Sequence, residues 1–301
     1  MLAVRLKMST SADQEWAPPP KIEDLYSKTE GNVFSAINRP TSGARHDEDL
    51  PAGDAPFQLY SLATPNGQKI GILLEELGVP YDAHVINIGA GEQFSSGFVE
   101  LNPNSKIPCG VDRAPADGGA EGVRLFESAS MMLYLAEKHG QFIPRGARRR
   151  AECMNWVMWQ MGGQGPMTGN FGHFMVYAPP DKCEARDYGV ARYGMEVQRL
   201  CATLDAHLAA RGPYLCGDEY TVADMACLPW FQLLRTPKAY KHHPSGVAAM
   251  DFLSVVSNYT HAAAWAERLL ARPQVQRGLL VCRKFGKPWL EDDRFKHLAK
   301  L

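Results

Sequence analysis

The stretch LATPNGQKIGILLEELGVP, residues 62–80, decides how the chain is read. Ile70, Leu73, Leu74 and Leu77 recur at the spacing of one helix face, and Gly78 stands where such a helix ends. FQLYSL (57–62) before it is rich in strand formers, and YDAHVINI (81–88) after it is a second strand. Two strands joined through a helix predict a parallel pair with a right-handed crossover. The turn between strand and helix consists of Thr64, Pro65, Asn66 and Gly67, without Cys, Ser or Tyr. If this corner is an active site, its nucleophile has to come from elsewhere.

Outward from this unit, a short helix is expected near 95–101. KIPCGVD (106–112) and GVRLFES (122–128) read as two short strands around the loop RAPADGGAE, and a helix starting at Ser128 puts Met131, Met132 and Leu135 on one face. Residues 57–140 therefore run β-α-β-α-β-β-α, a thioredoxin-like order. From 147 to 287 the pattern is helical only. Met154, Val157, Met158 and Met161 form one expected stripe, and Tyr193, Val197, Leu200, Cys201, Leu204 and Leu208 another. Thr221 and Asp224 have capping-box spacing, and Ala262, Trp265 and Leu269 mark a late helix. The polar RGARRR (145–150) lies between the halves. Residues 1–56, rich in Pro, Ser, Asp and Gly, read as an irregular extension whose most ordered part is FSAINRPTSGARHD, and 288–301 as a tail. The expected architecture is α+β: a thioredoxin-like α/β domain, then an all-α helical-bundle domain, with the site in the cleft between them.

Composition narrows the function classes. A net charge of -1 gives no broad basic field for nucleic acid or an anionic membrane, and no apolar run approaches the ~18 residues of a membrane span. The seven cysteines form no C-x-x-C pair, which argues against a disulfide framework and a zinc ribbon and for a reducing compartment. Arg5 and Lys7 without early acids leave organelle targeting open, and Met8 offers an alternative start; a cytoplasmic location is expected.

The turn TPNG, SKIP before a strand and FES leading into a helix together resemble the cytosolic glutathione transferases, and GDEYTVADM (217–225) is similar to the capping box of their helical domain. More narrowly, INRPTSGARHD, SLATPNGQK, GEQFSSGFVELNPNSKIP, GGQGPM and ARYGMEVQRL resemble the nu class, the YghU-type disulfide-bond reductase branch. The likeness runs from about Phe34 to Lys287. It implies glutathione as substrate and reductant, no metal, small disulfides as partners, and a homodimer. It implies further that two glutathione molecules share one site and that their thiols replace the missing C-x-x-C pair. It singles out Arg192 and Asn38 as reaching into the cleft.

The residues fit such a ligand on physical grounds as well. Pro108 opens a strand, which suggests an edge position or a cis bond. A cis bond would turn the Ile107 backbone outward to pair with an extended peptide; an ordinary edge proline is the alternative. Ser128 has the character of a helix N-cap, and a helix N-terminus also binds a carboxylate, with Glu127 beside it for an amino group. Lys106 and Gln93 could serve the other end of the peptide, or simply be surface residues. Thr64 and Asn66 can donate hydrogen bonds to a thiolate but are poor nucleophiles, so the thiol would belong to the substrate. The same TPNG is also simply a good turn.

Cys109, Cys153, Cys201 and Cys227 read as core. Cys216 is ambiguous, and His242 and His243 lack a third metal ligand. A non-catalytic glutathione-binding regulatory module is the alternative reading. A conventional conjugating transferase would need Tyr60 or Ser61 as activator.

Overall fold

The computed structural model describes residues 41–178, 186–236 and 248–300, with Pro20, Lys21 and Asp24. Asn38, His242 and His243 lie outside the described residues. The first unit is β1 (Phe57–Ser61), α1 (Pro65–Leu77) and β2 (Tyr81–Val85). Thr64 caps α1, its Oγ1 accepting from the Gly67 N–H at 3.3 Å, and Pro65 opens it, where a missing N–H costs nothing. Gly78 closes α1 at φ 66°, in the left-handed region. After a 3₁₀ turn (Glu92–Phe94) come α2 (Ser96–Leu101), β3 (Cys109–Asp112), β4 (Val123–Phe126) and α3 (Ser128–His139). The sheet order is β2-β1-β3-β4, with β1 parallel to β2 and antiparallel to β3. This is the expected thioredoxin-like order.

Pro108 precedes β3, which is an inner strand rather than an edge. Of the two expectations for this proline the cis bond is the one found, at Ile107–Pro108. Ser128 is likewise not the cap of α3: Glu127 holds that place at φ 65°, with no capping hydrogen bond from its side chain.

Residues 41–56 contain no helix or strand but are pinned. His46 bridges to Ser95, the Arg45 N–H donates to the Phe94 carbonyl at 2.8 Å, and the Tyr60 hydroxyl donates to the Pro51 carbonyl at 2.8 Å.

The rest is helical: α4 (Ala147–Trp159), a π turn (Gln160–Gln164), α5 (Gly165–Gly172), a second π turn (His173–Tyr177), α6 (Arg186–Arg211), α7 (Val222–Arg235), α8 (Ala249–Leu253), α9 (Val255–Asn258), α10 (Thr260–Leu270), α11 (Pro273–Gly278) and α12 (Pro288–Glu291). The stripes expected on α6 and α10 are buried from Val197 to Leu208 and from Ala262 to Leu269. The α4 stripe is not. Its buried face is Cys153, Trp156 and Val157, and Met158 is half exposed. The buried residues Cys153, Trp156, Val157 and Gln160 keep one helical spacing up to the start of the π turn, so the expected stripe is rotated off the buried face and Met154 and Met158 sit beside it.

Thr221 and Asp224 form the expected capping box, and the buried Asp224 carboxylate also accepts from the Leu215 N–H and Trp265 Nε1. The last segment packs down, with Trp289 and Leu298 both buried.

The two halves meet on α1. Gly71 and Gly278 let the α1 and α11 backbones touch: a Cβ on Gly71 would lie 2.4 Å from the Gly278 carbonyl oxygen, and one on Gly278 would lie 2.3 Å from Ile72 Cα. Around this contact Arg272 pairs with both oxygens of Glu76 at 2.6 and 2.7 Å, and Arg277 pairs with Glu75 at 2.6 Å. With the sheet packed behind it and helices in front, α1 is buried over more than one stripe, and Lys69 is fully enclosed.

Candidate active site

Two adjoining cavities open where the halves meet. One, of 310 Å³, is lined by Thr64, Pro65, Asn66, Gln93, Lys106 and Ile107 from the sheet side and by His173, Tyr177 and Trp230 from the helices. The other, of 180 Å³, is reached past Asn66, Lys106 and Ile107 and ends at Glu127, Ser128 and Met161. The first alone reaches the lower end of the ~300–1,000 Å³ typical of small-molecule sites. A larger cavity of 590 Å³ lies beyond Pro65, between α1, α7, α11 and the C-terminal segment. Its Arg294 is held by Asp292, and none of Thr64, Asn66, Ile107 and Glu127 is among its lining residues.

The start of α1 forms one end of the site. Thr64 Oγ1 already accepts from Gly67, so its hydroxyl proton is left to donate into the cavity. Asn66 Oδ1 accepts from Trp230 Nε1 at 3.0 Å. The indole N–H can only donate, so this bond fixes the amide and leaves the Asn66 NH₂ as the free donor. Two donors and a helix N-terminus converge on one place, an environment that stabilises a thiolate.

Along the floor, Ile107 stands outside the β1–β3 ladder. No hydrogen bond to its N–H or C=O is found among the described residues. The loop before it is held by the buried Asn102, whose amide donates to the Lys106 carbonyl at 2.6 Å and whose Oδ1 accepts from the Asn104 N–H at 2.9 Å.

At the far end, the left-handed backbone of Glu127 carries an exposed carboxylate onto the cavity. For a residue with a Cβ this conformation is costly, and such positions cluster at functional sites. Ser128 is buried beside it. Its Oγ accepts from Lys69 Nζ at 3.2 Å and lies 3.7 Å from Met161 Sδ. Burial lowers the Lys69 ammonium from 10.5 to about 7, against the opposing influence of Cys227 and Glu127. Burial also depresses His173 and raises Tyr177 on the helical wall.

Of the residues singled out in the sequence, Thr64, Asn66, Gln93, Lys106, Ile107, Pro108, Glu127 and Ser128 therefore line one continuous cleft. Gln93 is buried, its amide donating to the Ile88 carbonyl at 3.3 Å while its Oε1 has no partner. Arg192 is exposed on α6 and is not among the residues lining either cavity. Tyr60 and Ser61 do not reach the cleft; both are buried and bonded to backbone carbonyls. Cys109 is fully buried behind Pro108, and burial pushes its thiol up, so it stays protonated. Among the described residues no cluster of three or more His, Cys, Asp or Glu could hold a metal ion. Among the same described residues, no helix is long and apolar enough to cross a membrane.

Two family models match the chain: the glutathione S-transferase N-terminal domain over residues 63–138 and the C-terminal domain over 187–268. The chain is 46% identical over 267 residues to disulfide-bond oxidoreductase YghU of Escherichia coli, covering 87% of each chain. The chain belongs to the glutathione S-transferase family. Among solved structures, the glutathione transferase YghU of Streptococcus pneumoniae in complex with glutathione is 43% identical. It superimposes at a TM-score of 0.78 over 89% of this chain and 98% of that one. A glutathione transferase of Burkholderia graminis with two glutathione molecules bound per subunit is 32% identical. Its TM-score is 0.69, over 90% and 99% of the two chains.

Within this transferase, sequence reasoning passed over Lys69, Asn102, Gln160 and Trp230. Lys69 could have been caught, because it occupies the i−4 position to Leu73 and so falls inside the apolar face of α1. A lysine there is either a snorkelling side chain or a buried charge. Trp230 gave no such sign, since its bond to Asn66 spans 164 positions.

Proposed function

We propose that the protein is a glutathione-dependent disulfide-bond reductase that seats two glutathione molecules per subunit and uses their thiols in place of protein cysteines. The observation that carries this reading is the cleft itself. It joins a thiolate-stabilising corner at Thr64 and Asn66 to a carboxylate seat at Glu127 and Ser128, and no cysteine is among the described residues that line it.

The first glutathione lies along Ile107, pairing with the open N–H and C=O as an added strand does. Its γ-glutamyl carboxylate sits at the start of α3 and its amino group on Glu127. Lys106 and Gln93 serve the glycyl end. The sulfur sits at the start of α1, held as thiolate by the Thr64 hydroxyl and the Asn66 amide. The second molecule lies against the helical wall, for which Arg192 and Asn38 are the proposed carboxylate partners.

The first thiolate attacks one sulfur of a small disulfide. A mixed disulfide forms, the old S–S bond breaks, and the departing thiolate takes up a proton. The second glutathione thiolate then attacks the mixed disulfide. It releases the other substrate thiol and leaves glutathione disulfide, two electrons having passed from two glutathiones to the substrate. The chain acts as a homodimer in the cytoplasm, so sedimentation at micromolar concentration should give twice the chain mass; a monomer mass would contradict the pairing.

The test is turnover of 2-hydroxyethyl disulfide with glutathione and a coupled glutathione reductase, alongside calorimetric titration with glutathione. Turnover with two glutathiones per chain is expected. Binding without turnover would make the chain a binding module, and one site per chain would return it to one-thiol transferase chemistry.

A further inference from the structure

Behind the carboxylate seat lies a charge that the reaction above does not use. Lys69 is fully buried. Its Nζ reaches Ser128 Oγ at 3.2 Å, Met161 Sδ at 3.4 Å and Gln160 Oε1. It thus ties α1 to the start of α3 and to the first π turn of the helical half. A lysine ammonium has three donors and no acceptor, and here all three meet neutral atoms. None of the ion pairs among the described residues involves it. An ammonium taken out of water with no carboxylate in contact is among the costlier things a fold can hold. Local rules broken this way tend to mark sites whose complement arrives from outside.

We propose, building on the reading above, that Lys69 is the positioning residue for the ligand's α-carboxylate, acting through Ser128. In its charged form Lys69 can only donate to Ser128 Oγ, so the serine then turns its own proton away from the lysine. Among the described residues that proton finds only the Met161 thioether at 3.7 Å, a weak acceptor. A carboxylate at the open start of α3 takes the proton and the free backbone N–H groups, and it supplies the anion that the ammonium lacks. The groups facing Lys69 are Ser128 on α3, Gln160 and Met161 on the π turn, Cys227 on α7 and the Glu127 carboxylate at the mouth of the seat. With its affinity for a proton lowered to about 7, the lysine is poised to be held fully charged once a second anion faces it. Because its contacts bridge the two halves, filling the seat also tightens the junction between them.

The experiment compares glutathione with 4-aminobutyryl-cysteinylglycine, which lacks only the α-carboxylate, in the wild-type protein and in Lys69→Met. The variant should bind glutathione ~10-fold or more weakly, the cost of a charge-assisted bond, yet bind the analogue within ~2-fold of wild type. Equal weakening of both ligands, or no weakening of either, would overturn the proposal, since a merely structural lysine has no reason to discriminate between them. If Lys69→Met does not fold, calorimetry on the wild type at pH 8 in two buffers of different ionisation enthalpy decides. Glutathione should bind with net uptake of more protons than the analogue, and equal proton counts would overturn the role. Failure of the wild type to bind glutathione at all would instead defeat the functional reading on which this one rests.

Discussion

Two helices begin at the cleft, and they begin in opposite ways. The start of α1 is satisfied from within: Thr64 caps it through its own side chain and Pro65 removes one donor. The start of α3 is left open. Glu127 occupies the cap with a left-handed backbone and no capping bond, and a buried lysine waits behind the first residue. A helix end that is already capped can lend its spare hydroxyl proton to a thiolate but has little left for a carboxylate. An uncapped end with a cation behind it suits a carboxylate and would not be economical for anything else. The thioredoxin-like scaffold thus presents two differently built helix ends to one cleft.

The largest expected effect breaks the α3 side and is read in stability. Burial holds the Lys69 pKa at about 7 against an ordinary 10.5. A lysine whose folded pKa is lowered penalises folding wherever the unfolded chain carries the charge. Below pH 7 both states are protonated and the penalty is complete. Between 7 and 10.5 the unfolded state holds the proton and the folded state does not, so stability rises with pH. Lys69→Met should therefore gain relative to wild type by several kcal/mol, on the order of what such a shift implies, below pH 7, and lose the gain toward pH 10.5. Denaturant titrations of both proteins at pH 6, 8 and 10 measure this. A difference that stays constant with pH would mean that the lysine is not a buried charge.

Breaking the α1 side should show chiefly in rate, with Thr64→Ala also losing the ~0.5–2 kcal/mol of a helix cap. Thr64→Ala and Asn66→Ala each remove one donor to the bound thiolate, worth ~1.5–3 kcal/mol, for a ~10- to 100-fold fall in disulfide turnover. The acid limb of the pH–rate profile should move upward, because a thiolate with fewer donors is harder to form. Unchanged rates in both variants would remove this corner from the mechanism.

Trp230 sharpens the contrast, because it belongs to the helical half yet fixes a donor of the sheet half. In Trp230→Phe the Asn66 amide loses the bond that keeps its oxygen away from the cavity. The amide can then rotate and present oxygen to the thiolate part of the time. A ~3- to 10-fold fall in kcat, smaller than in Asn66→Ala and absent from the double variant with Asn66→Ala, is expected if the indole acts through Asn66. Additive losses in the double variant would assign Trp230 a separate contact with the ligand.

How legible these parts were follows from how local each one is. The β1-α1-β2 unit could be read directly because its signals fit within 57–88: β formers, one apolar stripe, Gly78. The capping box at Thr221 and Asp224 is a four-residue pattern and emerged intact. Glu127 and Ser128 do meet at the cavity end, but the cap position expected for Ser128 belongs to Glu127, because a left-handed glutamate has no residue preference that would announce it. The α4 stripe was set on the wrong face, since Cys153, Trp156 and Val157 keep the same helical spacing and only the packing decides which of two neighbouring stripes is buried. Lys69 stood in the sequence as a lysine inside an apolar face and was passed over, whereas Trp230 gave no sign, because its contact with Asn66 is created only by the packing of the two halves.

The smallest expected effect is the one that tests the division of labour most directly. If both ends of the cleft exist to hold a thiol brought by the ligand, no thiol of the chain should matter to the rate. Cys109 is the nearest rival, lying next in sequence to Pro108 at the floor of the cleft. It is fully buried beside Tyr60, Ile86, Phe98 and Leu101, and its thiol is pushed up by burial. A thiol held protonated and walled off from solvent can neither attack a disulfide nor be attacked by one. Cys153, Cys201, Cys227 and Cys282 are buried as well, and Cys216 is only partly exposed. Single replacements of these by Ala, with Ser for Cys216, should leave disulfide turnover within ~2-fold once stability is matched, because a packed thiol contributes volume rather than chemistry. Cys109→Ala should cost some stability through the cavity it leaves and almost nothing in kcat. A loss of several orders of magnitude in any one folded variant would place a protein sulfur in the reaction. The two helix ends would then be a binding frame around a conventional cysteine enzyme.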